Sequence, residues 1–186
     1  FFCQWITVTH SCIATAIFSS FVVPVPGMVV RLNFEENMGG FVEKLAQAVE
    51  SHAEEIGEQW AKAVRRNSKT SSFQKLSKEH CTLCAKGFYR KFVKVYFNER
   101  PYPALEEFFS QYAEARFQEG IPLQEAIYAL LMLRRQMWLF PDCQTLFASN
   151  IEKSQAVETL NQTIRIFDQG IYLIMERYQE LSSGKV

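Results

Sequence analysis

From Glu35 to the carboxyl terminus, apolar residues recur every three or four positions, the spacing that places side chains on one face of an α-helix. This part of the sequence shows no alternating strand pattern, no internal repeat and no low-complexity tract. Sixteen phenylalanines and only eight glycines also favour packed helices over turn-rich β structure. We therefore predict an all-α fold, an antiparallel helical bundle of about five helices.

Breaks in the periodicity define five predicted helices. The first, second and last cover about residues 36–66, 73–98 and 150–181, the third holds Leu105 to Ala113, and the fourth uses Leu123 to Trp138 and stops at Phe140-Pro141. We expect Ser72 to cap the second helix and the prolines of ERPYP to end it. Gly120 should end the third helix, and Pro122 suits the first turn of the fourth. In the last helix, the residues expected to face inward are Val157, Leu160, Ile164, Phe167, Ile171, Met175 and Tyr178.

The N-terminal segment differs from everything that follows, because residues 1–30 contain no Asp, Glu, Lys or Arg. We predict that residues 1–34 form an extension and that residues 35–186 form one helical sensor domain. The extension is interpreted as an artefact of an extended reading frame or as a disordered segment, with Met28 as a plausible true start. A membrane anchor and a signal peptide are the alternatives, although two prolines interrupt the uncharged run and a basic n-region is missing.

Charge and cysteine usage narrow the class of protein. Lysine plus arginine equals aspartate plus glutamate at 20 each, and the sequence has no basic run, so we expect no nucleic-acid partner. The five cysteines have no regular spacing, which argues against a disulfide framework. We therefore predict reduced thiols in a cytoplasmic protein.

Two arginines and an aspartate fall within the predicted apolar faces. At about 100° per residue, Arg116 lies about 20° from Leu105 around its helix. Arg134 lies about 20° from Leu123 by the same measure, and Asp168 falls inside the apolar stripe of the last helix. Because an unpaired buried charge is costly, we predict that Asp168 pairs with Arg134, with Arg116 or with both. The alternative is that the arginines extend their heads into water, and Arg134 is the better placed for burial.

His52 and His80 also lie on predicted apolar faces, and Cys84 follows His80 by one helical turn. Such an i and i+4 pair could hold a metal ion. The sequence offers a single CxxC motif and no second ligand pair, so we predict no metal site and interpret these residues as core histidines and buried thiols. An apolar ligand pocket among the aromatic side chains is a further alternative.

Motifs of catalysis are missing from the sequence. It contains no Gly-rich phosphate loop, no nucleophile elbow and no kinase or zinc-protease motif. We therefore predict no catalytic residues and a protein that is not an enzyme.

Three features occur together between Trp60 and the carboxyl terminus: Trp60 itself, the block ARFQEGIPLQEA at 115–126, and LRR at 133–135 followed by Trp138. With them, the stretch resembles the RsbRD-type N-terminal domain of stressosome co-antagonists and related sensor histidine kinases. The resemblance implies a helical bundle, sometimes compared with a haem-free globin, that senses or regulates and is often a homodimer. Such domains usually precede an output domain, so we expect a missing C-terminal output domain or a partner signalling protein.

These observations predict a non-enzymatic sensory or regulatory input domain of bacterial signal transduction, acting through helix rearrangement in a dimer or on a partner. The candidate ligand-binding or switch residues are Arg116, Arg134, Asp168, His52 and His80. One alternative is a globin-like sensor of haem or another small ligand, with His52 or His80 as the haem ligand; otherwise no cofactor is expected. Another alternative is a structural helical scaffold that binds a partner protein. A membrane would be involved only if residues 1–30 are a real anchor.

Overall fold

The computed structural model describes residues 34–96, 101–140 and 150–184, with side chains placed for residues 42–96, 102–140 and 155–184. Its helices are α1 (Phe34–Ser51), α2 (Ala53–Arg66), α3 (Lys78–Tyr96), α4 (Pro101–Gln118), α5 (Leu123–Leu139) and α6 (Asn150–Ser182), with a 3-10 segment (Ser68–Lys75) between α2 and α3. The all-α prediction is confirmed. The count of about five helices is not, because the described ranges contain six α-helices and the 3-10 segment.

Three helices are connected to α5 by buried or partly buried aromatic side chains whose polar atoms donate hydrogen bonds to α5 carbonyl oxygens. The bonds are Trp60 Nε1 of α2 to Ala129 at 3.0 Å, Tyr89 OH of α3 to Leu133 at 2.8 Å and Tyr112 OH of α4 to Ala126 at 2.9 Å. Each ring thereby buries a large apolar area while its polar atom keeps a partner. These bonds fix α2, α3 and α4 relative to α5.

An aromatic cluster joins α3, α4 and α6 in the core. Phe88 lies at its centre, with ring centroids 4.9 Å from Phe108 and 6.0 Å from Phe167. The helices α4 and α6 approach closely at Gly170, where an added Cβ would lie 2.4 Å from Phe109 Cζ. A side chain at position 170 would therefore push the two helices apart.

The first predicted helix, 36–66, is divided at His52 into α1 and α2. His52 has φ −105° and ψ 16°, outside the helical region, although its N–H still donates to the Ala48 carbonyl at 3.1 Å. Its ring packs against Phe140 at 4.9 Å between centroids. The bend coincides with this tertiary contact, which the helical spacing does not encode.

The second predicted helix begins five residues later than expected, at Lys78 instead of Phe73. The residues before it form the 3-10 segment, where the Ser72 N–H donates to Glu125 Oε2 at 2.8 Å. The expected capping role of Ser72 is therefore wrong. Ser77 caps α3 instead, since its Oγ accepts the His80 N–H at 3.1 Å.

The end of α4 follows the sequence prediction. Gly120 has φ 70°, the left-handed conformation that glycine adopts without steric cost. The Ile121 N–H donates to the Arg116 carbonyl at 3.0 Å and the Gly120 N–H to the Phe117 carbonyl at 2.9 Å, which together form a Schellman motif. This turn holds Arg116, in the last turn of α4, and Glu119, which follows the helix, in place.

The last helix matches its predicted bounds, and its buried face is only partly the predicted one, since Phe167 and Tyr178 are buried as expected. Val157 and Met175, expected to face inward, are exposed. The buried positions are Ala156, Thr159, Thr163, Ile166, Phe167, Gly170, Leu173, Ile174 and Tyr178. Thr159 and Thr163 tolerate burial because each hydroxyl donates, at 2.8 Å, to the carbonyl one turn earlier. Asp168 consequently lies outside the buried face.

The calls on the N-terminal extension lie outside the described residues, which begin at 34. Among the helices that are described, none combines the length and the apolar character that a membrane span requires.

Candidate functional site

Arg116 is buried at the end of α4, with only 4% of its surface exposed. Its Nη2 donates to Glu119 Oε1 at 2.8 Å and to Cys84 Sγ of α3 at 3.4 Å. The guanidinium carbon also lies 5.5 Å from the centre of the Tyr112 ring, within cation–π range. The alternative in which this arginine extends into water is therefore wrong, and its ionic partner is Glu119 instead of Asp168.

The surroundings of Arg116 keep it charged. Burial by itself would lower its pKa, but Tyr112, the Cys84 thiol and Glu119 outweigh this effect, so that the pKa of Arg116 is raised. Burial in turn raises the pKa of the Tyr112 hydroxyl. Among the described residues, Arg116 Nε and Glu119 Oε2 are buried without a hydrogen-bond partner. Buried polar atoms of this kind are uncommon, and each leaves hydrogen-bonding capacity unused inside the fold.

Two further side chains complete what we call the junction cluster, defined as Arg116, Glu119, His80 and Cys84. His80 Nε2 lies 2.7 Å from Glu119 Oε1, and Cys84 Sγ lies 3.5 Å from the same nitrogen. The expectation that His80 is a core histidine is wrong, since 47% of its side chain is exposed. The neighbouring Cys81 faces the core, where burial raises its pKa to about 11 and keeps it a thiol.

A cleft of about 200 Å³ runs between α3 and α4 beside the junction cluster. Trp60 of α2 and Leu133 of α5 line part of its wall. Two polar members of the junction cluster, Arg116 and Cys84, line it as well. The remaining lining residues are Leu83, Ala85, Gly87, Phe88, Lys91, Phe108, Gln111, Tyr112 and Ala115. The cleft is therefore a mainly apolar space with a buried cation in its wall.

The second predicted arginine has a different environment. Arg134 Nη1 lies 4.0 Å from Asp168 Oδ1, with 27% of the arginine side chain and 65% of the aspartate side chain exposed. The arginine also lies over the Phe167 ring, 5.6 Å from its centre. A pair this exposed and this long contributes little to stability, so Arg134 and Asp168 form a surface contact apart from the junction cluster.

His52 lies at the bend between α1 and α2, away from the junction cluster. Its Nδ1 is 3.6 Å from Glu55 Oε1, and its ring contacts Phe140. The structure therefore does not bring the five sequence-predicted site residues together. Arg116 and His80 share one cluster, Arg134 and Asp168 share another contact, and His52 belongs to neither.

The end of α4 is connected to α6 by direct polar contacts. Arg177 Nη2 donates to Glu114 Oε1 at 2.6 Å, and Tyr178 OH donates to the Ile121 carbonyl at 3.1 Å. Burial raises the pKa of Tyr178 and keeps its hydroxyl protonated. A displacement of the end of α4 around Arg116 would therefore change the contacts of the last turns of α6.

Glu119 and Cys84 were not among the predicted site residues. The signal for Glu119 was its position three residues after Arg116, the spacing of an ion pair on a helix. The signal for Cys84 was its i+4 spacing from His80. Neither spacing shows that α3 and α4 meet at this point, which only the tertiary fold establishes.

Comparisons with protein-family models, with curated proteins and with solved structures found no match for this chain. The resemblance to RsbRD-type domains therefore stays a prediction.

Proposed function

We propose that this chain is a non-enzymatic sensory or regulatory input domain of bacterial signal transduction, and that it responds to a small apolar carboxylate bound between α3 and α4. The observation that carries the proposal is the buried guanidinium of Arg116 in the wall of a mainly aromatic and aliphatic cleft. Ligand sites commonly combine apolar walls with a few polar groups that fix orientation.

A carboxylate fits this cleft better than a neutral or cationic ligand. Arg116 lines the cleft, and a guanidinium recognises carboxylates through directed hydrogen bonds. Glu119 already balances part of the charge of Arg116, so the carboxylate would bind to a paired cation. The body of the ligand would pack against Phe88, Phe108 and Leu133.

The response would pass from α4 to α6. A ligand that draws Arg116 towards the cleft acts on the helix that packs against α6 at Phe109 and Gly170. Shifts of packed helices by an ångström or two are a common way of passing on a binding event. The exposed apolar residues Tyr172 and Met175 of α6 are then the contact with a second copy or with a partner signalling protein.

Haem binding through His52 or His80 has less support from the geometry. The His52 ring packs against Phe140, and the His80 ring nitrogen contacts Glu119. Neither histidine is among the described residues that line the cleft. A Soret absorption band in the purified protein would nevertheless favour haem and contradict this proposal.

Titration with 3-phenylpropanoate tests the proposal, with 3-phenylpropan-1-ol as the neutral counterpart of the same body. Binding to the full chain is followed by the melting temperature and by tryptophan fluorescence, since Trp60 lines the cleft. A hydrogen bond to a charged group contributes about 1.5–3 kcal/mol, so the acid should bind roughly ten- to a hundredfold more tightly than the alcohol.

Matched variants distinguish ligand binding in the cleft from ligand binding at the surface. Arg116→Gln should remove the preference for the acid, whereas Arg134→Gln should keep it. Ala115→Leu narrows the cleft without changing a charge and should weaken both ligands, which covers the case in which Arg116→Gln folds poorly. Equal binding of acid and alcohol, or binding of neither, would contradict the proposal and favour the structural scaffold.

A further inference from the structure

His80, Cys84 and Glu119 bring three metal-binding side chains to one point between the start of α3 and the end of α4. One ligand atom from each residue lies within 4.8 Å of the other two. His80 is exposed, and Cys84 and Glu119 are half-buried, so an ion has access from solvent. The helix supplies the first two ligands because residues four apart project from the same side.

We infer that this trio binds a borderline divalent transition-metal ion of the zinc type. The ligand atoms are His80 Nε2, Cys84 Sγ and a carboxylate oxygen of Glu119, with water in the fourth position. One nitrogen, one sulfur and one oxygen suit zinc better than magnesium or calcium, which prefer oxygen ligands.

The sulfur–nitrogen separation already matches a tetrahedral site, and the other ligand atoms lie within 4.8 Å of one another. With a metal–sulfur distance of about 2.3 Å and a metal–nitrogen distance of about 2.05 Å, the sulfur and nitrogen ligands are about 3.6 Å apart. The observed separation of Cys84 Sγ and His80 Nε2 is 3.5 Å. The nitrogen and oxygen ligands would be about 3.4 Å apart, against 2.7 Å observed between His80 Nε2 and Glu119 Oε1. A small rotation of the exposed His80 ring opens that distance.

The binding step is balanced in protons and charge. The Cys84 thiol releases its proton to solvent as the sulfur–metal bond forms. His80 binds through Nε2 as a neutral ring with its single proton on Nδ1, so a ring that is neutral before binding releases no proton. Thiolate and carboxylate then balance the charge of the dication, so about one proton is released for each ion bound.

Arg116 would act on this site from outside the coordination sphere. Its Nη2 already donates to Cys84 Sγ and Glu119 Oε1, and both atoms keep lone pairs for a metal. Such outer donors orient metal ligands. The positive charge of Arg116 weakens the attraction for a dication, so we expect a reversible site in place of a permanently filled structural one.

This inference does not depend on the proposed function, because the metal ligands and the carboxylate cleft can each be tested with the other left empty. Co²⁺ alone, titrated into the reduced full chain, is the probe. We expect one Co²⁺ per chain, the intense visible bands of four-coordinate cobalt and a sulfur-to-cobalt charge-transfer band in the near ultraviolet. Zn²⁺ should displace the cobalt and abolish both signals.

Matched variants assign the ligands. Cys84→Ser should abolish the charge-transfer band, whereas Cys81→Ala, one turn away on the core face, should keep it. His80→Asn and Glu119→Gln should each weaken Co²⁺ binding by about tenfold or more. The control variant His52→Asn should bind Co²⁺ as the wild type does. Circular dichroism confirms that each variant is folded.

X-ray absorption at the zinc edge provides a second measurement that needs no variant. The wild-type protein loaded with Zn²⁺ should show one sulfur and about three nitrogen or oxygen neighbours. Only a weak six-coordinate cobalt spectrum, a charge-transfer band that survives in Cys84→Ser, or a zinc shell without sulfur would overturn the inference.

Discussion

The guanidinium of Arg116 loses its hydration when the helices pack, and Glu119 supplies the compensating charge at 2.8 Å. The pair between Arg134 and Asp168 has the same charges but lies at 4.0 Å in a largely exposed setting. Glu119→Ala should therefore lower the free energy of unfolding by about 3 kcal/mol. Asp168→Ala should change it by about 0.5 kcal/mol or less.

Urea denaturation of the two variants measures this difference directly. Glu119→Gln gives an additional control, since the amide keeps one hydrogen bond and removes the charge. If Glu119→Ala and Asp168→Ala lower the free energy of unfolding by the same amount, the junction cluster would not be the principal ionic contact of the described core.

The Cys81 thiol predicts how stability depends on alkaline pH. Burial raises its pKa from the ordinary value of 9.0 to about 11. A group whose pKa is raised by folding stabilises the protein fully below its unfolded pKa and loses that contribution as pH rises through the folded pKa. Stability should therefore fall between about pH 9 and pH 11, together with contributions from buried tyrosines above pH 10.

Comparison of the wild type with Cys81→Ala isolates this effect. Urea midpoints measured from pH 8 to pH 11.5 should decline less steeply in the variant over the lower part of the range. Parallel declines in the two proteins would show that Cys81 does not titrate differently on folding.

Part of the site could be found from single residues. Arg116 falls on an apolar helix face in the sequence and is buried in the structure. The same argument placed Arg134 and Asp168 more deeply than they lie, because apolar residues surround α5 and α6 on several sides and leave the centre of the face ambiguous. The buried threonines and Gly170 of α6 shift that centre, and a count of hydrophobic residues misses them.

At the scale of helices, the sequence predicted where most elements end. It did not predict the bend between α1 and α2 or the residue at which α3 begins. Gly120 and Pro122 mark helix ends through their own conformational preferences, which do not depend on tertiary contacts. The bend at His52 depends on Phe140, and the 3-10 segment depends on Glu125, which lies 53 residues after Ser72. Contacts of that range do not appear in local periodicity.

The contact between α4 and α6 leads to a prediction about glycine. Gly170→Ala should destabilise the protein by about 1–3 kcal/mol, because the methyl group would overlap the buried Phe109 ring. This cost exceeds the gain of about 1 kcal/mol that alanine normally brings to a helix interior. Gly87→Ala of α3, where a Cβ meets no atom within 4 Å, should stabilise by up to about 1 kcal/mol.

Thermal unfolding of both glycine variants provides the measurement. A melting temperature that rises in Gly170→Ala as it does in Gly87→Ala would show that α4 and α6 separate easily, and would weaken the proposed transmission between them.

At the scale of the molecule, the exposed apolar residues of α6 bear on assembly. Tyr172 and Met175 are about half exposed and line a surface groove with Leu123. If a second copy covers them, the wild-type chain should have the mass of a dimer by light scattering. The double variant Tyr172→Lys, Met175→Lys should then be a monomer, because the lysine charges would lose their hydration when buried between two copies.

Leu139→Lys, which changes an exposed apolar residue of α5, is the control and should leave the mass unchanged. A monomeric wild type would contradict the homodimer and make a separate partner protein the proposed contact of α6.

The central claim is that a ligand at Arg116 changes α6, and hydrogen–deuterium exchange of the full chain with and without 3-phenylpropanoate tests it most directly. We predict slower exchange in α3 and α4 around the cleft and a change in exchange across residues 171–182 of α6, with no change in Arg116→Gln. Slower exchange confined to α3 and α4, with α6 unaffected, would contradict the claim.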